Sequence, residues 1–511
     1  MIWKARTIVP VRSLDLYTDK KEAKMENANL TLLTDFYQLT MTQAYYHAQK
    51  MGRRKQYAIF DLFYRENPHQ NGYAVVAGLE QAVDYIKNLR FTAEDAAYLR
   101  DTGAFNDDFI EYLKGFSFTG DIYAIPEGTV VFPNDPLVRV KAPIIEAQFI
   151  ETALLNIINH QSLIATKAAR VVWAAQNDIV LEFGLRRAQG PDAGVFGARA
   201  AMIGGCHATS NVLAGKLFSI PVRGTHAHSW VMSHESELEA FRKYAELYPK
   251  DCTLLVDTYD TLRTGVPNAI KVFGEMRDRG VNFERFGIRL DSGDLAYLSK
   301  EARKLLDGAG FEKATISASN DLDEYAITDL KAQGARINAW GVGTQLITSE
   351  GNPAFGGVYK LAAETDEDGF WVPRMKLSEN PLKMTNPGEK KLYRFYDSST
   401  GKAKADYITL MDEDVSADED ITIFDPLAPW KRMTLNSGEF TVRELLEPVF
   451  VEGRCVYESR NVMDIREYAI QERETLWDEH KRLTRPQLYP VDLSQHLYDL
   501  KQGMIKFIRT L

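Results

Sequence analysis

The sequence predicts an α/β protein in which an irregular, partly open barrel of parallel strands is joined to a separate α+β domain. Short apolar segments that end in glycine or polar residues recur along the middle of the chain, and amphipathic stretches separate most of them. This strand–helix–strand spacing is typical of parallel βα units. About seven such segments favour a closed or nearly closed barrel over a dinucleotide-binding sheet. The segments are 179–184, 220–225, 253–258, 286–292, 314–320, 337–344 and 357–361.

The segment that precedes the barrel has a different pattern. Residues 30–46 carry apolar residues at helical spacing, and residues 56–65 alternate as a strand does. Glycine, proline and asparagine divide residues 118–140 into several short β-branched pieces. A long helical pattern then covers residues 144–175. These patterns predict a mixed α/β layer before the barrel.

The same patterns divide the chain into four parts. We predict an N-terminal α+β domain over residues 27–143 and the α/β barrel domain over residues 144–361. Residues 362–511 begin with a stretch rich in Asp, Glu, Pro, Gly and Ser, and we expect a β-rich return followed by a C-terminal helical region. Residues 1–26 form an extension of unknown role, in which Met25 is a candidate for the natural start.

The composition is that of a globular protein of two or three domains. Of the 511 residues, 45% are hydrophobic and 26% are charged, and no apolar run is long enough to cross a membrane. We therefore expect no membrane partner. The formal charge of −10 argues against general binding of nucleic acid. The three cysteines are widely separated and odd in number, which fits a reducing cytoplasm.

The stretch Arg223–Trp230 concentrates polar and titratable side chains after a short apolar segment, namely Thr225, His226, His228 and Ser229. A His-x-His pair at a strand end can ligate a metal ion, because alternate strand residues point to the same side. Alternatively, one histidine is a nucleophile or a carrier of phosphate and the other is incidental. The third possibility is that both are loop histidines with satisfied hydrogen bonds.

Polar residues, cations and glycines follow the carboxyl ends of the predicted strands. In a parallel barrel these ends converge on one face. Fixed cations, hydroxyl groups and glycine amides at one face suit a small anionic substrate that carries phosphates. The residues are Phe183, Arg186, Arg187, Thr225, His228, Asp257, Asp260, Arg289, Asp291, Ser292, Gly293, Ser319, Asn320, Gly341, Gly343, Thr344 and Lys360.

Two of these loops have informative sequences. Gly341–Thr344 can offer backbone N–H groups to a phosphate, although two glycines also occur in ordinary turns. In Asp291–Asp294, two carboxylates beside small residues can hold ribose oxygens or hydrated magnesium. The same residues also fit a helix N-cap with an acidic first turn. Arg289 beside Asp291 likewise fits a structural ion pair.

Nine short motifs, in their order along the chain, resemble the nicotinate phosphoribosyltransferase family, which has the type II phosphoribosyltransferase fold. Each motif is modest alone, but their joint order is specific. The resemblance implies an irregular α/β barrel with an N-terminal domain, and a homodimer whose active site lies across the subunit interface. The motifs are Thr34–Met41, Glu182–Arg187, Gly224–Ser229, Val256–Tyr259, Ile288–Asp294, Ser319–Asn320, Gly341–Thr344, Gly357–Leu361 and Arg374–Leu377.

The resemblance also assigns roles to individual residues. The pyridine ring of nicotinate is expected to stack between Phe183 of one subunit and Tyr37 of the other. Arg289 and Thr225 are expected to hold nicotinate, because a guanidinium group pairs well with a carboxylate.

Phosphoribosyl pyrophosphate is the second substrate that the resemblance implies. Asp291 is expected to meet the ribose and its magnesium ion, whose direct ligands stay open. Arg186 and Lys360 are expected to oppose the remaining negative charge. The residues expected to receive the 5′-phosphate are Ser319, Asn320, Gly341, Gly343 and Thr344.

His228 matches the phosphorylated histidine of the family, which favours phosphate transfer over metal ligation. In the family, ATP phosphorylates this residue, and hydrolysis of the phosphohistidine is coupled to substrate binding and turnover. The resemblance therefore implies ATP as a co-substrate and His228, Asp257 and Asp291 as the catalytic residues. Asp257 is expected to orient the imidazole by accepting a hydrogen bond from its other nitrogen. His226 occupies a variable position, and we treat it as incidental.

The implied reaction gives nicotinate mononucleotide and pyrophosphate. A nicotinamide phosphoribosyltransferase is the first alternative, but the nicotinamide enzymes carry acidic residues near Ala227 and within Gly205–Ser210 that this sequence lacks. A quinolinate phosphoribosyltransferase shares the fold but uses no ATP. A His-x-His metal-dependent barrel hydrolase and a catalytically silent nucleotide-binding regulator are the alternatives from other functional classes.

Overall fold

The computed structural model describes residues 29–380 and 383–510. The predicted extension 1–26 and the candidate start at Met25 lie outside the described residues. Up to residue 175 the chain forms helices and mostly antiparallel strands. In chain order these elements are α1 (Phe36–Lys50), β1 (Tyr57–Phe63), β2 (Ala74–Val75), α2 (Leu79–Lys87), α3 (Ala93–Asp101), α4 (Asp107–Lys114), β3 (Asp121–Ala124), β4 (Val130–Val131), β5 (Val138–Pro143), α5 (Ile144–Phe149) and α6 (Glu151–Ala175).

The middle of the chain alternates strands with helices. In chain order its elements are β6 (Ile179–Glu182), α7 (Pro191–Ile203), β7 (Ala208–Thr209), α8 (Val212–Phe218), α9 (His228–Met232), α10 (Glu237–Leu247), β8 (Asp251–Leu255), α11 (Val266–Asp278), β9 (Arg285–Leu290), α12 (Leu295–Gly308), β10 (Thr315–Ala318), α13 (Glu324–Ala332), β11 (Ala339–Val342) and α14 (Thr344–Ile347). These strands form one parallel sheet in the order β7-β6-β11-β10-β9-β8. The predicted fold class, a partly open α/β barrel with an additional N-terminal domain, is confirmed.

The last part of the chain is rich in strands. In chain order its elements are β12 (Val358–Thr365), β13 (Trp371–Pro373), β14 (Lys390–Asp397), β15 (Ala403–Leu410), β16 (Ile421–Phe424), β17 (Arg432–Leu435), β18 (Phe440–Glu444), β19 (Glu447–Val451), β20 (Arg454–Cys455), α15 (Val462–Glu474), α16 (Asp478–Lys481), β21 (Val491–Leu493) and α17 (Gln495–Ile508). Four of its strands complete a seven-stranded sheet in the order β13-β12-β1-β5-β3-β19-β20, and four others form the sheet β18-β14-β15-β21.

Two of the seven strands predicted for the barrel do not form as predicted. Residues 220–225 make only a single bridge, between Val222 and Thr209, because Pro221 has no N–H to donate and the chain then turns away. Residues 357–361 do begin a strand, but β12 pairs antiparallel with β1 in the N-terminal sheet. The domain boundaries predicted from the sequence stay predictions.

Helix α6 packs between the barrel and the N-terminal layer. Of its residues, Ile164 and Ala165 belong to the barrel's core cluster, whereas Ile157 and Ile158 belong to that of the N-terminal layer. Several buried polar groups on α6 are paired, as in the bond from the Ala77 N–H to the Ser162 hydroxyl at 3.0 Å. Among the described residues, no helix combines the length and apolar character that a membrane crossing requires.

A buried ion pair joins the C-terminal sheet to the N-terminal layer. Arg394 and Asp406, on adjacent strands β14 and β15, are both fully buried and make two hydrogen bonds of 2.7 Å each. The guanidinium lies 5.1 Å from the ring centre of Phe132, which stacks on Tyr489 at 3.7 Å. The charge pair and the stacked rings therefore hold three distant parts of the chain together.

Replacement of Arg394 by leucine is expected to lower the free energy of unfolding by about 3–5 kcal/mol, because Asp406 stays buried without its partner. Urea titration followed by far-UV circular dichroism measures this loss. Arg242→Leu is the matched control. Arg242 makes the same two-bond contact with Glu275, at 2.9 and 2.6 Å, but it is exposed, so the expected loss is within about 1 kcal/mol. Equal losses in the two variants would contradict the prediction.

Candidate active site

The carboxyl ends of the parallel strands meet at one edge of the barrel sheet, and most predicted site residues follow those ends. Phe183 directly follows β6, Asp291 follows β9, Ser319 follows β10 and Gly343 follows β11. Asp257 lies two residues beyond the end of β8. Because neighbouring parallel strands end at the same side, the fold brings these residues to one face.

A chain of hydrogen bonds joins the ends of β8, β9 and β10. Asp257 Oδ2 accepts hydrogen bonds from the Asp291 N–H and from the Ser292 hydroxyl, both at 2.7 Å. The Ser319 hydroxyl donates to Asp291 Oδ1. Because these acceptors are carboxylates, the bonds are stronger than those between neutral groups. They fix the turn after β9, and they leave Asp257 Oδ1 buried without a hydrogen-bond partner among the described residues.

His228 is the first residue of α9, and its ring lies between the ends of β8 and β9. Its Nδ1 lies 3.1 Å from the Thr258 hydroxyl, and its Nε2 lies 3.7 Å from Asp291 Oδ2. The side chain is 38% exposed, so a ligand can reach the ring. The hydrogen-bond partner of the ring is Thr258 rather than the predicted Asp257, because Asp257 instead accepts from the turn after β9.

Arg289, on β9, presents a cation at the same face. One of its terminal nitrogens donates to the Thr225 hydroxyl, as the predicted pairing of these two residues requires. Burial lowers the pKa of Arg289, and the charge of Arg186 lowers it further, whereas the carboxylates of Asp291 and Asp257 raise it. The Nε of Arg289 is buried and has no hydrogen-bond partner in the described part of the chain. This guanidinium is therefore able to bind an additional anion.

Phe183 packs closely against two glycines: its ring lies against Gly341 of β11, and its backbone carbonyl lies against Gly343, the residue after β11. A Cβ atom at Gly341 would lie 2.7 Å from Phe183 Cδ2, and one at Gly343 would lie 3.3 Å from the Phe183 carbonyl oxygen. Only glycine at position 341 leaves the ring in its present place. Gly341 thus permits the position of the aromatic ring, and Gly343 permits the close approach of the Phe183 backbone.

The loop between β10 and α13 holds Ser319 and Asn320. Asn320 and the next residue, Asp321, have φ angles of 93° and 44°, in the left-handed region that non-glycine residues seldom adopt. The helix that follows is anchored by Glu324, which is fully buried and pairs with Lys167 of α6 at 2.7 Å. The strained loop is therefore held between two fixed elements.

Three predicted site residues make no side-chain hydrogen bond to this group of hydrogen-bonded residues among the described residues, although the charge of one of them, Arg186, acts on Arg289. Tyr37 is on α1 and is half-exposed, and Lys360 is on β12, opposite Asp61 in the seven-stranded sheet. Arg186 is exposed in the short 3₁₀ turn that follows Phe183. Thr344 is the first residue of α14 and stays close to Gly343, which caps this helix. The structure thus places the predicted residues in a strand-end group and a peripheral group.

Four residues to which the sequence analysis assigned no role in the site also shape it. Thr258 contacts His228, and Ser292 contacts Asp257. Glu182 is fully buried at the end of β6, where it accepts hydrogen bonds from the Gly184 N–H and the Thr209 hydroxyl, and burial raises its pKa. The fourth is His226. Each of the four directly precedes or follows a residue to which a role was assigned, and this adjacency was the available signal.

The carboxylates at this face fit a magnesium ion better than the two histidines fit a metal. His226 Nε2 accepts the Leu255 N–H at 3.2 Å, so this ring is already engaged with the backbone. No group of three or more His, Cys, Asp or Glu residues that could hold a metal is found within residues 29–380 and 383–510. Magnesium needs only one or two carboxylates together with substrate oxygens, and the unpartnered Asp257 Oδ1 and the nearby Asp291 supply them.

The fold and this face define an α/β-barrel enzyme that binds anions. Models of the nicotinate phosphoribosyltransferase (NAPRTase) N-terminal domain, family and C-terminal domain match residues 32–159, 179–361 and 389–501, respectively. A nicotinate phosphoribosyltransferase of Bacillus subtilis is 50% identical over 489 residues, which cover 96% of this chain and 98% of that protein. The Homo sapiens nicotinate phosphoribosyltransferase is 34% identical over an alignment of 534 positions, gaps included. This alignment covers 93% of this chain and 96% of that protein.

Solved structures agree with this relationship. The crystal structure of human nicotinic acid phosphoribosyltransferase superposes with a TM-score of 0.79 at 31% identity, covering 92% of this chain and 99% of that chain. A nicotinate-nucleotide pyrophosphorylase from Pyrococcus furiosus, at a TM-score of 0.67, 21% identity and coverages of 90% and 99%, shares the fold. This chain belongs to the nicotinate phosphoribosyltransferase family.

The buried ring of His226 is expected to make the protein less stable in acid. Burial lowers its pKa from 6.5 to about 4, so between these pH values the unfolded chain binds a proton that the folded chain excludes. Stability therefore falls as the pH falls through this window. Urea titrations at neutral pH and near pH 4.5 should show that His226→Gln loses about 2–3 kcal/mol less than the unsubstituted protein between the two conditions.

The matched control for this pH dependence is the exposed His496. Substitution of His496 by glutamine should leave the difference between the two titrations unchanged. His69, whose pKa burial also lowers to about 4, adds the same dependence to every variant. An identical loss of stability in the unsubstituted protein and His226→Gln would show that the ring is not held neutral.

Proposed function

We propose that this protein transfers the phosphoribosyl group of phosphoribosyl pyrophosphate to nicotinate, giving nicotinate mononucleotide and pyrophosphate, the first step of NAD biosynthesis from nicotinate. Membership of the family supports the reaction class. The observation that carries the choice of substrate is Arg289, whose buried Nε has no partner among the described residues while one terminal nitrogen donates to Thr225. A guanidinium in this state pairs with a carboxylate far better than with an amide.

The chemistry needs positioning more than a strong base. The bond between ribose C1 and the pyrophosphate oxygen breaks, the oxygen keeps the electron pair, and the pyridine nitrogen forms the new bond to C1. The nitrogen attacks with its own lone pair, so no proton has to move. Phe183 of one subunit and Tyr37 of the other orient the flat ring, and Arg289 pairs with the carboxylate.

Phosphoribosyl pyrophosphate lies across the strand ends in this proposal. A bound magnesium ion supplies charge neutralisation for the departing pyrophosphate. Asp257 and Asp291 fit that ion, and Asp291 also meets the ribose. Arg186 and Lys360 oppose the remaining negative charge. The residues that receive the 5′-phosphate are Ser319, Asn320, Gly341, Gly343 and Thr344.

The proposal includes coupling to ATP through a phosphohistidine. The γ-phosphoryl group passes from ATP to an imidazole nitrogen of His228, and ADP leaves with the electrons of the broken bond. Water later attacks the phosphorus, which releases inorganic phosphate and restores the imidazole. The accessible ring of His228, held by the Thr258 hydroxyl beside Asp291, supports this role.

We further propose a homodimer in which Tyr37 completes the site of the other subunit. Gln38, the next residue, is fully buried and donates to Glu151 at 2.9 Å, which turns Tyr37 outward from the fold. Phe36 and Tyr37 are 58% and 50% exposed, which is unusual for adjacent aromatic residues without a partner surface.

We also propose a cytoplasmic location. Cys206 and Cys252 are buried free thiols, and Cys455 is an exposed free thiol. Free cysteines of this kind fit a reducing compartment.

The experiment that tests the function is nucleotide formation by the purified protein with phosphoribosyl pyrophosphate and magnesium. Nicotinate, nicotinamide and quinolinate are offered separately, each with and without ATP, and products are separated by chromatography. Formation of nicotinate mononucleotide from nicotinate, with release of pyrophosphate, supports the proposal, whereas its formation from quinolinate alone, with loss of CO2, would contradict it. Product from nicotinamide alone would assign the protein to the alternative reaction, and no product from any acceptor would overturn both.

His228→Ala is expected to abolish ATP hydrolysis while a slow ATP-independent transfer to nicotinate persists. The reason is that the variant loses the phosphoryl acceptor but keeps Arg289, Thr225 and Phe183. Release of ADP and formation of nucleotide are measured in parallel, and His234→Ala, two residues after the end of α9, is the matched control. Phosphorylation of the His228→Ala protein by ATP would contradict the assignment.

A mixing experiment tests the shared site. Tyr37→Ala and Phe183→Ala are each expected to weaken nicotinate binding and lower activity strongly. After subunit exchange, an equal mixture should recover about a quarter of the unsubstituted activity, because half of the dimers are hybrids and each hybrid rebuilds one intact site. If Tyr37 served the site of its own subunit, the mixture would show only the mean of the two variants.

A further inference from the structure

The barrel sheet is open between its two edge strands, because β7 and β8 do not pair with each other. β8 pairs with β9 on one side only, where the Val256 N–H donates to the Arg289 carbonyl at 3.2 Å. Because successive N–H groups of a strand point to opposite sides, the Leu255 N–H points away from β9. Leu255 is fully buried, so this N–H needs an acceptor that no neighbouring strand provides.

The ring of His226 provides that acceptor. Its Nε2 lies 3.2 Å from the Leu255 nitrogen, and the residue is 9% exposed. The ring meets the face of Tyr244 on α10 at 4.7 Å in an edge-on arrangement, and Phe241 lies 6.2 Å away. Because Nε2 accepts a hydrogen bond, the proton of the neutral ring is on Nδ1, which faces the Ala227 carbonyl at 3.4 Å.

The hydrogen bond between His226 and Leu255 crosses the open side of the barrel sheet, and it starts from the segment that bears Thr225 and His228. The segment 223–228 leaves the bridge between Val222 and Thr209 at the β7 edge, and only the His226 side chain in this segment has a hydrogen bond to β8 among those described. Thr225 and His228 flank His226 on this segment, and they contact Arg289 and Thr258 on the opposite side of the gap. The His226 side chain therefore supplies a hydrogen bond where β7 and β8 lack a backbone ladder.

We propose that His226 is a positioning residue that ties the segment bearing Thr225 and His228 to β8 and so sets both against the barrel. The kinetic part of this proposal rests on the proposed function, and the structural part does not. Loss of the acceptor leaves the Leu255 N–H buried without a partner, and the segment is then free to shift. A shift of about 1 Å in a site of this kind can cost up to a hundredfold in rate.

Four variants test the proposal. His226→Leu fills the space without an acceptor, and His226→Asn keeps a polar group that is too short to reach Leu255. His226→Gln places an amide oxygen close to the position of Nε2 and should restore the contact. His207→Leu is the matched control, because His207 Nδ1 accepts the N–H of the buried Val180 at 3.1 Å, near the opposite ends of the strands.

Hydrogen–deuterium exchange with mass spectrometry gives the structural readout. His226→Leu and His226→Asn should speed exchange about tenfold in peptides that cover residues 223–230 and 252–257. His226→Gln should stay within about twofold of the unsubstituted protein, and His207→Leu should change only peptides near residue 180. If His226→Leu does not fold, the asparagine and glutamine variants decide the outcome by themselves.

Steady-state kinetics with nicotinate give the second readout. Without the contact, the KM for nicotinate should rise about tenfold and ATP-stimulated turnover should fall, with recovery in His226→Gln. A purely structural role would lower the amount of active protein and leave KM unchanged, as expected for His207→Leu. Unchanged exchange in peptides 223–230 and 252–257 of the leucine and asparagine variants would overturn the proposal. Absence of nucleotide formation by the unsubstituted protein would instead overturn the proposed function, and the exchange data would still decide the role of His226.

Discussion

A buried backbone N–H must have an acceptor, and this constraint determines how the active face of the barrel is built. The short parallel strands end in loops whose amides cannot continue the sheet. The Asp291 N–H is accepted by Asp257, the Gly184 N–H by Glu182 and the Leu255 N–H by His226. Asp257 and His226 each accept from an amide on a different strand end, so these bonds join separate parts of the chain. Glu182 accepts from an amide of its own loop and reaches β7 through the Thr209 hydroxyl. The side chains at the site are therefore held in place by the same hydrogen bonds that satisfy the backbone N–H groups.

The electrostatic character of the site is local and does not follow from the charge of the whole chain. The chain carries a formal charge of −10, yet its candidate substrate-binding cation, Arg289, lies beside the carboxylates of Asp257 and Asp291. Among the described residues Arg289 forms no ion pair with either carboxylate, and Asp257 and Asp291 accept hydrogen bonds from hydroxyl and amide donors. The guanidinium thus keeps hydrogen-bonding capacity for a ligand, and the nearby carboxylates oppose the lowering of its pKa by burial.

Much of this architecture could be predicted from the sequence, because βα units give a regular alternation of short apolar segments and amphipathic stretches. The segments after β9 and β10 were predicted to carry site residues, and Asp291 and Ser319 are hydrogen-bonded there. The strand at 357–361 was assigned to the wrong sheet, because a buried strand has the same apolar composition in either sheet. Likewise, the sequence cannot show which of two adjacent residues after β8 turns towards His228. The geometry of the loop decides which residue contacts the ring, and that residue is Thr258.

The seven-stranded sheet has a consequence for how this family can change. The three segments that match the family's N-terminal, central and C-terminal models all contribute strands to it. β1 comes from the first segment, β12 begins in the second, and β19 and β20 come from the third. The main-chain register between β1 and β12 therefore has to be matched across segment borders. A segment exchanged with that of a distant relative would have to preserve this register for the sheet to form, so the three segments constrain one another.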